Sequence, residues 1–595
     1  MTDKTIKYSD LICECLKNMG YTHCFMVAGG NIMHLIGSAK DFFKIVPVVN
    51  EVAAGIAAEY FNESNKDQKA FVLVTAGPGL TNILTAISGA YLESRDLLVI
   101  GGQVKISDLS DGSIRQNGIQ EINGVSLVSS ITKISKLIKN TVNAKEFVEM
   151  VSCGLKPRKG PVFIEMPLDI QAKMVCRDGF FKNISFDQNY EEYAADFLPE
   201  AQKKVQGLIN SAKRPVILIG AGVTRAKANT LVKRFSSANI PIMLTWNAAD
   251  RICSTHPLYF GRPNTWGQRY SNILIQQSDL LIAVGTRLGM QQSGFNWQEF
   301  IPNGKIIHID CDEAELNKNH PTTDLKINCD ANKFLDKFLN VNFNDYSSWV
   351  SHCREVKNLL PINEKNNNIT GRNYISPYDF VENLSKISSK DDVIIPCSSG
   401  GAFTVMMQVF LQKSGQIIIT NKALASMGYG LSGAIGASIA NPESRTILVE
   451  GDGGFAQNLQ EIATANANKL NLKIFILENS GYASIRMTQR NYFGGEYVGC
   501  DTNTGLGFPN WNKLFDAYGV ESMNINNDNF STDSTFLDLF SSNKCVAFIV
   551  KIDPEQTYFP KISSRVTADG GMESNPLHLM SPELSNEIIK KVIKY

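Results

Sequence analysis

The sequence lacks the features of nucleic-acid-binding, secreted and membrane-spanning proteins. Its 58 Lys and Arg residues equal its 58 Asp and Glu residues, and no basic block interrupts the chain. Nucleic-acid surfaces need clustered cations to neutralise phosphates, so we expect no nucleic-acid partner. No apolar run reaches the ~18 residues of a membrane span, and residues 1–17 lack the apolar core of a secretion signal. We therefore expect a cytoplasmic protein without a membrane partner.

The 12 cysteines lack any arrangement typical of zinc or disulfide chemistry. The sequence contains no CxxC pair and no Cys/His cluster with zinc spacing. Cys13 and Cys15 are separated by one residue on a predicted helix, which places them on different faces. We expect reduced, mostly buried thiols, as the apolar surroundings of Cys24 and Cys397 indicate. The seven His residues are scattered, and no side-chain nucleophile is evident.

Length and pattern predict three α/β domains. A chain of 595 residues exceeds what one hydrophobic core serves, which favours roughly three to four domains. Strand and helix patterns alternate throughout, as in doubly wound parallel sheets that bind ligands at the carboxyl ends of strands. The predicted units are residues 1–175, 199–342 and 374–560, with a tail at 561–595. Polar segments at 186–197 and 360–373 are read as linkers.

The segment from residue 447 to residue 482 predicts a site for a metal ion and a diphosphate. Asp452 and Asn479 each follow a short apolar strand, and a helix is predicted over Asn458 to Asn468 between the strands. Glycines in this turn let the backbone approach a phosphate: Gly451, Gly453 and Gly454. A GDG triplet alone is also typical of an ordinary turn. The downstream Asn favours the metal site, because carboxylate and amide oxygens suit magnesium.

This pattern resembles the thiamine diphosphate (ThDP) and magnesium signature of the acetohydroxyacid synthase and pyruvate decarboxylase superfamily. The resemblance covers nearly the whole chain through FMVAGG (25–30), VVNEVAAGIAAEYF (48–61), TAGPGLTN (75–82), IGGQV (100–104) and ASMGYGLSGAIGAS (425–438). It implies three doubly wound parallel-sheet domains, namely a pyrimidine-binding (PYR), a central and a diphosphate-binding (PP) domain. It also implies an enzyme that decarboxylates a 2-oxo acid and joins the acyl unit to a carbonyl acceptor.

Two residues match the family's catalytic groups. Glu51 follows an apolar strand and precedes a helix rich in Ala and Gly, and the resemblance implies that it contacts the ring nitrogen of the cofactor's aminopyrimidine. The alternative is an acid that stabilises a helix N-terminus. Gln120 matches an active-site amide that can donate a hydrogen bond to a carbonyl group. Its alternative is a surface amide in a loop.

Further residues match the family's cofactor contacts. Met427 lies where the resemblance places the apolar wedge that bends ThDP, and the alternative is an ordinary core methionine. The resemblance implies metal ligands at Asp452, Asn479 and Gly481. It implies other cofactor contacts at Gly29, Gly30, Pro78, Asn82, Ser399, Gly400, Ala425, Gly451, Gly453, Gly454, Tyr482, Ala483, Ser484 and Ile485.

The resemblance also implies a homodimer or homotetramer with active sites between subunits. In the family's dimer, the amino-terminal unit of one chain meets the carboxy-terminal unit of another. Glu51 and Asp452 of a given site are therefore expected on different subunits.

The acceptor region departs from the acetohydroxyacid synthases. Gln291 falls where those enzymes carry an Arg that binds a second 2-oxo acid, and a neutral amide cannot replace that charge. Thr488 and Ser484 replace a Trp and a Met. This polar pocket suits a hydroxylated acceptor. Segments such as NSGYASIRMTQRNYFGG look like a subgroup of polysaccharide and branched-sugar carboligases, which add an acetyl unit from pyruvate to a nucleotide-linked keto-deoxysugar.

Three alternatives remain open, together with one cofactor. The chain could be an acetolactate synthase, a flavin-dependent pyruvate oxidase or a catalytically silent ThDP-binding subunit. Two turns of the central unit, ILIGAGV (217–223) and VGTRLG (284–289), could approach the diphosphate of FAD. The first lacks full GxGxxG spacing. Members of the family differ in whether they bind FAD, so the sequence leaves this cofactor open.

Overall fold

Three parallel β-sheets, each flanked by helices, organise the chain. The computed structural model describes residues 5–65, 67–186 and 195–595. The sheets confirm the predicted fold class of three doubly wound α/β domains. Both faces of the first sheet are covered, since Phe71 and its neighbour Val72 pack into two different apolar clusters. No helix in the described ranges is long and apolar enough to cross a bilayer.

The amino-terminal unit contains a six-stranded parallel sheet and a small antiparallel pair. Its strands are β1 (Thr5–Lys7), β2 (Tyr21–Met26), β3 (Lys44–Pro47), β4 (Lys69–Val74), β5 (Leu98–Gln103), β6 (Ile134–Leu137), β7 (Val162–Pro167) and β8 (Met174–Cys176). Its helices are α1 (Tyr8–Asn18), α2 (Met33–Ala39), α3 (Glu51–Ser64), α4 (Pro78–Leu92), α5 (Gly124–Val128), α6 (Ala144–Cys153), α7 (Leu168–Gln171) and α8 (Arg177–Phe180). The sheet order is β3-β2-β4-β5-β7-β6, and β1 pairs with β8.

The central unit contains a five-stranded parallel sheet. Its strands are β9 (Pro215–Ile219), β10 (Ile242–Leu244), β11 (Leu280–Val284), β12 (Lys305–Asp310) and β13 (Leu325–Asn328). Its helices are α9 (Pro199–Ser211), α10 (Arg225–Ala238), α11 (Arg269–Gln276), α12 (Met290–Ser293), α13 (Glu313–Asn317), α14 (Ala331–Phe338) and α15 (Ser347–Leu359). The sheet order is β10-β9-β11-β12-β13.

The carboxy-terminal unit contains a second six-stranded parallel sheet. Its strands are β14 (Val393–Ile395), β15 (Ile417–Ile418), β16 (Thr446–Gly451), β17 (Leu472–Glu478), β18 (Glu521–Ile525) and β19 (Val546–Lys551). Its helices are α16 (Pro377–Ile387), α17 (Gly400–Val409), α18 (Tyr429–Ala440), α19 (Asp452–Phe455), α20 (Ile462–Ala467), α21 (Ala483–Tyr492), α22 (Trp511–Ala517) and α23 (Ser534–Ser541). The sheet order is β15-β14-β16-β17-β19-β18.

The tail after this unit folds into short hairpin strands and one helix. These are β20 (Lys561–Ile562), β21 (Ser564–Val566), β22 (Met572–Ser574), β23 (Met580–Ser581) and α24 (Asn586–Val592). Strand β20 pairs with β23, and β21 pairs with β22. The tail packs on the central unit, because Leu577 and Met580 belong to that unit's apolar cluster.

Helices α3 and α18 join the amino-terminal and carboxy-terminal units through close backbone packing. A Cβ added at Gly436 would lie 2.0 Å from the Ala57 carbonyl oxygen, so only glycine permits this approach. The fully buried Glu59 carboxylate accepts hydrogen bonds from Arg95 (2.7 Å) and from the Tyr429 hydroxyl (3.1 Å). This ion pair offsets the cost of burying a charge between the two units.

Several local predictions can be compared with the structure. The predicted helix over residues 458–468 is a 3₁₀ turn at Leu459–Glu461 followed by α20. All 12 cysteines are free thiols, and Cys13 and Cys15 are both buried in the apolar core. The predicted linker at 186–197 lies largely outside the described residues, since 187–194 are not described. The exact domain boundaries stay a prediction.

Candidate functional site

Asp452 and Asn479 lie at the carboxyl ends of two adjacent parallel strands. Strand β16 ends at Gly451, and its neighbour β17 ends at Glu478, with Gly451 paired to Leu477. The residue that directly follows β16 is therefore Asp452, and the residue that directly follows β17 is Asn479. The Asn479 backbone N–H donates to Asp452 Oδ2 at 3.0 Å. The fold brings the two predicted metal ligands into direct contact.

The Asp452 carboxylate is buried without a cationic partner. The residue is 1% exposed, and its Oδ1 accepts from the Gly453 N–H at 2.7 Å. Burial raises the pKa of Asp452 to about 6, although the backbone N–H groups of Asn479 and Gly453 oppose this shift. Among the described residues it forms no ion pair. A divalent cation would supply the missing charge.

The donor set suits magnesium held partly by a phosphate ligand. Within residues 5–65, 67–186 and 195–595 there is no cluster of three His, Cys, Asp or Glu side chains that could hold a metal. The predicted ligand set instead contains one carboxylate (Asp452), one amide oxygen (Asn479) and one backbone carbonyl oxygen (Gly481). Magnesium usually binds through a few protein oxygens together with substrate phosphates and water. The residues thus fit a metal shared with a diphosphate.

Close backbone approach explains the glycines around these ligands. A Cβ added at Gly453 would lie 2.4 Å from the Tyr482 ring, and one at Gly481 would lie 2.3 Å from the Cys500 carbonyl oxygen. Gly451 instead faces open space, with nothing within 4 Å of an added Cβ. The turn is therefore tight on its protein side and open at Gly451, where a ligand could approach.

The turn before α18 exposes Met427. This side chain is 37% exposed, so it is not a core methionine. Ala425 and Gly428 on either side have positive φ angles of 55° and 82°. Asn458 fixes the turn by donating to the Gly428 carbonyl oxygen at 2.8 Å. At the neighbouring strand β14, Ser399 is the N-cap residue of α17, which starts at Gly400.

The amino-terminal sheet gathers the other predicted residues at its carboxyl edge. Gly29 and Gly30 follow β2, Glu51 starts α3 after β3, Pro78 starts α4 after β4, and Gln120 lies in the segment after β5. A Cβ added at Gly77 would lie 2.6 Å from the Gln120 carbonyl oxygen. Gln120 therefore lies beside the Gly-Pro turn. Its φ of 62° is unusual for a residue other than glycine, and its side chain is exposed.

Glu51 is buried and held at one oxygen. Asn82 Nδ2 donates to Glu51 Oε2 at 2.9 Å, so two residues predicted from separate motifs meet. No hydrogen bond from the described residues reaches Oε1. Asn50 caps α3 by accepting from the Val52 N–H at 3.1 Å. The helix N-terminus is thus capped by Asn50, which leaves the Glu51 carboxylate available for another partner.

A cavity of about 500 Å³ lies between the amino-terminal and carboxy-terminal units near these residues and is lined by both of them. Asn82 and Met427 line it from opposite sides, whereas the Glu51 side chain is not among its lining residues. Glu461, which the sequence did not single out, accepts hydrogen bonds from the Val49 and Asn50 N–H groups. It thereby positions the start of α3. In the sequence, Glu461 is marked only by being an acidic residue shortly after the GDG turn.

The residues predicted to shape an acceptor pocket are polar and accessible. Gln291 is exposed near the start of the short helix α12. Thr488 is exposed on α21, and its hydroxyl donates to the Ser484 carbonyl oxygen at 3.0 Å. Ile485 on the same helix is also exposed. Whether these side chains contact substrate stays a prediction.

In the central unit, the two predicted glycine turns pack on each other. A Cβ added at Gly220 would lie 2.1 Å from the Gly285 carbonyl oxygen. Next to the second turn, Lys422 lies near Arg287 and places its amine 5.1 Å from the centre of the Trp246 ring. Neither cation forms an ion pair with a described residue. Burial lowers the pKa of Lys422 to about 8.

Three family models match successive parts of the chain. The model of the thiamine pyrophosphate enzyme N-terminal TPP binding domain matches residues 6–127. The central domain model of the same enzymes matches residues 202–338, and the C-terminal TPP binding domain model matches residues 399–549. Each match falls on one of the three parallel sheets.

Individual relatives align along most of the chain. The acetolactate synthase isozyme 1 large subunit of Escherichia coli (strain K12) is 27% identical over 569 residues, which cover 94% of this chain and 96% of the relative. The acetolactate synthase large subunit of Lactococcus lactis subsp. lactis (strain IL1403) is 26% identical and covers 95% and 96%. A probable acetolactate synthase large subunit of Methanococcus aeolicus is 29% identical and covers 82% of both chains. With its three sheets and its three matched domains, the chain belongs to the thiamine pyrophosphate enzymes of the acetohydroxyacid synthase and pyruvate decarboxylase superfamily.

Proposed function

We propose that the chain decarboxylates a 2-oxo acid, pyruvate in the first instance, and transfers the acyl unit to a carbonyl acceptor. The observation that carries this proposal is the contact between Asp452 and Asn479 at adjacent strand ends, beside an open glycine turn. That arrangement can hold a metal and a diphosphate at the place where doubly wound sheets bind ligands. The large-subunit relatives support ThDP-dependent carboligation.

Different residues of the chain would bind different parts of the cofactor and its metal ion. Asp452, Asn479 and the Gly481 carbonyl group would bind the magnesium ion, and the Gly451–Gly454 turn would meet the diphosphate. Met427 would support the middle of the cofactor from its exposed turn. When bound, ThDP supplies the electron sink that makes decarboxylation and acyl transfer feasible. The protein has to position the reactants and exclude water.

Glu51 is the proposed proton-transfer residue. Asn82 holds Oε2 at 2.9 Å, so the carboxyl group is oriented while Oε1 remains free to meet the cofactor's pyrimidine. A positioned acid of this kind can give and take a proton at one defined atom. Gln120, on the exposed segment beside Gly77, would donate from its amide to the substrate carbonyl group.

We propose a homodimer or homotetramer in which Glu51 and Asp452 of one site come from different chains. Within a single chain, the Glu51 side chain does not line the cavity that Met427 shares with Asn82. Ile119, next to Gln120, is 84% exposed, as expected of an apolar side chain that awaits a partner surface. Sedimentation velocity on the purified chain tests this assembly, and a monomer that binds ThDP at full stoichiometry would contradict it.

For the acceptor, we propose a nucleotide-linked keto-deoxysugar. The support is the polar character of Gln291, Ser484 and Thr488, which stand where synthases carry an Arg, a Met and a Trp. Hydroxyl and amide groups can bind the hydroxyls of a sugar, whereas a second 2-oxo acid needs a cation for its carboxylate.

Acetolactate synthase is the second candidate, and the names of the relatives favour it. The two candidates differ in what happens with pyruvate alone. Purified protein with ThDP and Mg²⁺ should release carbon dioxide and form a new carbon–carbon product only when a nucleotide 4-keto-sugar is present. Rapid acetolactate formation without any sugar would support the second candidate. Oxygen uptake with pyruvate would indicate an oxidase, and no turnover of any kind would indicate a silent subunit.

FAD in the central unit is a separate proposal. Lys422 and Arg287 place two cations near each other, and neither forms an ion pair with a described residue, although the nearby Glu93 carboxylate favours the charged form of Lys422. This positive charge fits a diphosphate. The mutual packing of Gly220 and Gly285 also accounts for these glycines without a ligand. A yellow protein that releases flavin on denaturation would support FAD. A colourless protein that takes up no FAD on titration would contradict it.

A further inference from the structure

Arg486 has an unusual position for a cation. It lies in the first turn of α21, seven residues after Asn479, and is 4% exposed. Among the described residues it forms no ion pair, and its Nε has no hydrogen-bond partner. Isolated buried charges are costly unless their hydrogen bonds or a nearby charge compensate them. Its role should therefore be sought in the few groups that it does contact.

All the side-chain hydrogen bonds that Arg486 donates go to one residue. Its Nη2 donates to the Asn479 backbone carbonyl oxygen at 2.8 Å and to Asn479 Oδ1 at 3.1 Å. One guanidinium nitrogen thus binds both oxygens of the same asparagine. On the other side, the Asn479 N–H donates to Asp452. Asn479 is therefore fixed between a cation and an anion.

These contacts determine which way the Asn479 amide faces. A guanidinium group only donates hydrogen bonds, so the amide oxygen must face it and the amide NH₂ group must point away. A carbonyl oxygen has two lone pairs, which leaves one for a metal ion. In the flipped amide, the NH₂ group would oppose both the guanidinium group and the metal. Arg486 thus disfavours the orientation that cannot bind a cation.

We propose that Arg486 is a positioning residue that holds the Asn479 amide with its oxygen available to the magnesium ion. This inference rests on the proposed function, because it takes Asn479 as a metal ligand. Helix α21 would then have two roles, since it positions a metal ligand and also carries Ser484 and Thr488 of the proposed acceptor pocket. Outer-shell partners that orient metal ligands typically change metal affinity by about 10- to 100-fold when removed.

The test compares Mg²⁺ dissociation constants measured by isothermal titration calorimetry at saturating ThDP. Arg486→Met removes the donors and keeps much of the side-chain length, and it should weaken Mg²⁺ binding by about 10- to 100-fold. Arg486→Lys keeps a cation that only donates hydrogen bonds, so its Mg²⁺ dissociation constant should lie between those of the wild type and Arg486→Met. Arg490→Met is the matched control, because Arg490 lies one turn further along α21 and pairs with Glu555. It should bind Mg²⁺ like the wild type.

A second background separates orientation from general damage. Asn479→Asp replaces the amide by a carboxylate with two equivalent oxygens, which needs no orientation. The guanidinium group would then compete with Mg²⁺ for that carboxylate. Arg486→Met should therefore leave Mg²⁺ affinity unchanged or increase it in the Asn479→Asp background. Should Arg486→Met not fold, as judged by circular dichroism, Arg486→Gln replaces it with the same expected signs.

The outcomes distinguish this inference from the proposed function. If the wild type binds neither ThDP nor Mg²⁺, the proposed function itself fails. If the wild type binds both and Arg486→Met binds Mg²⁺ equally well, only the positioning role fails. Equal weakening of Mg²⁺ binding in the Asn479 and Asn479→Asp backgrounds would also overturn it, since a merely structural residue would act alike in both.

Discussion

The amino-terminal and carboxy-terminal sheets share one strand order and differ in chemistry. The amino-terminal order is β3-β2-β4-β5-β7-β6, and the carboxy-terminal order is β15-β14-β16-β17-β19-β18. When the strands of each sheet are counted along the chain, both orders are second, first, third, fourth, sixth, fifth. Strands β3, β4 and β5 thus correspond to β15, β16 and β17. The sheets therefore offer the same set of strand ends on which side chains can be placed.

The corresponding strand ends carry different groups. After β3 and β15 come Glu51 and Met427, and after β4 and β16 come Pro78 and Asp452. After β5 and β17 come Gln120 and Asn479. In the proposed function, one sheet presents an acid for proton transfer, and the other presents oxygen ligands for a cation. The comparison teaches that the loops determine the chemistry while the scaffold determines only where it can occur.

The largest effect is expected when the carboxy-terminal sheet loses the carboxylate that we propose as a metal ligand. Asp452→Asn keeps the shape of the side chain and removes the charge that a divalent cation requires. Mg²⁺-dependent ThDP binding should weaken by more than ~100-fold, beyond the usual loss for an outer-shell partner. Calorimetric titration measures this. Asp391→Asn, an exposed acid of the same unit, serves as the control and should bind normally.

The corresponding change in the amino-terminal sheet should affect turnover and leave binding largely intact. Glu51→Gln keeps a group that Asn82 can contact and removes the transferable proton. The kcat should fall by about 10²- to 10⁴-fold, with ThDP affinity changed far less. Steady-state kinetics and a ThDP titration on the same sample separate the two quantities.

Glu146→Gln is the matched control for Glu51. Glu146 also lies in the first turn of a helix capped by an Asn, and it is exposed. Its replacement should leave kcat unchanged. Equal losses for both variants would show that Glu51 acts only through the helix N-terminus, and the contrast between the sheets would then disappear.

A smaller effect is expected where the two units meet. Gly436→Ala would place a methyl group against the Ala57 carbonyl oxygen, 2.0 Å from the ideal Cβ position. Overpacking of this kind typically destabilises by about 1–3 kcal/mol. Gly207→Ala on α9 is the control, since nothing lies within 4 Å of its added Cβ, and it should stabilise slightly. Urea denaturation followed by fluorescence compares the two midpoints.

The sequence predicted the strand-end residues well because local patterns determine strands and turns. Strands β16 and β17 end at Gly451 and Glu478, directly before Asp452 and Asn479, as the sequence predicted. In a parallel sheet, carboxyl ends meet at one edge, so the sequence pattern alone predicts that Asp452 and Asn479 lie together.

Contacts between distant segments could not be predicted in this way. Glu461 holds the Val49 N–H group across 412 positions of sequence, and no local pattern encodes that pairing. The orientation of Arg486 toward Asn479 likewise depends on how α21 returns onto β17. Such contacts depend on how helices and strands that are distant in sequence pack against each other, and a single sequence carries little information about this packing.

An acidic and a basic side chain buried in the two sheets give the smallest effects when measured per unit of pH, and they provide a further contrast between the sheets. The amino-terminal sheet buries Glu165 on β7, and burial raises its pKa to about 8. The carboxy-terminal sheet buries Lys473 on β17, and burial lowers its pKa to about 8. The folded protein therefore favours the neutral form of both Glu165 and Lys473.

The two groups should tilt the stability profile in opposite directions. Between about pH 4.5 and 8 the unfolded chain has released the Glu165 proton that the folded chain retains, so this group lowers stability as pH rises, by up to ~1.4 kcal/mol per unit. Between about pH 8 and 10.5 the unfolded chain retains the Lys473 proton that the folded chain has released, so this group raises stability with pH. Thermal unfolding midpoints across pH should thus lose the falling slope in Glu165→Gln and the rising slope in Lys473→Gln. If both variants kept the wild-type profile, neither sheet would bury its group in the neutral form, and this part of the contrast would be wrong.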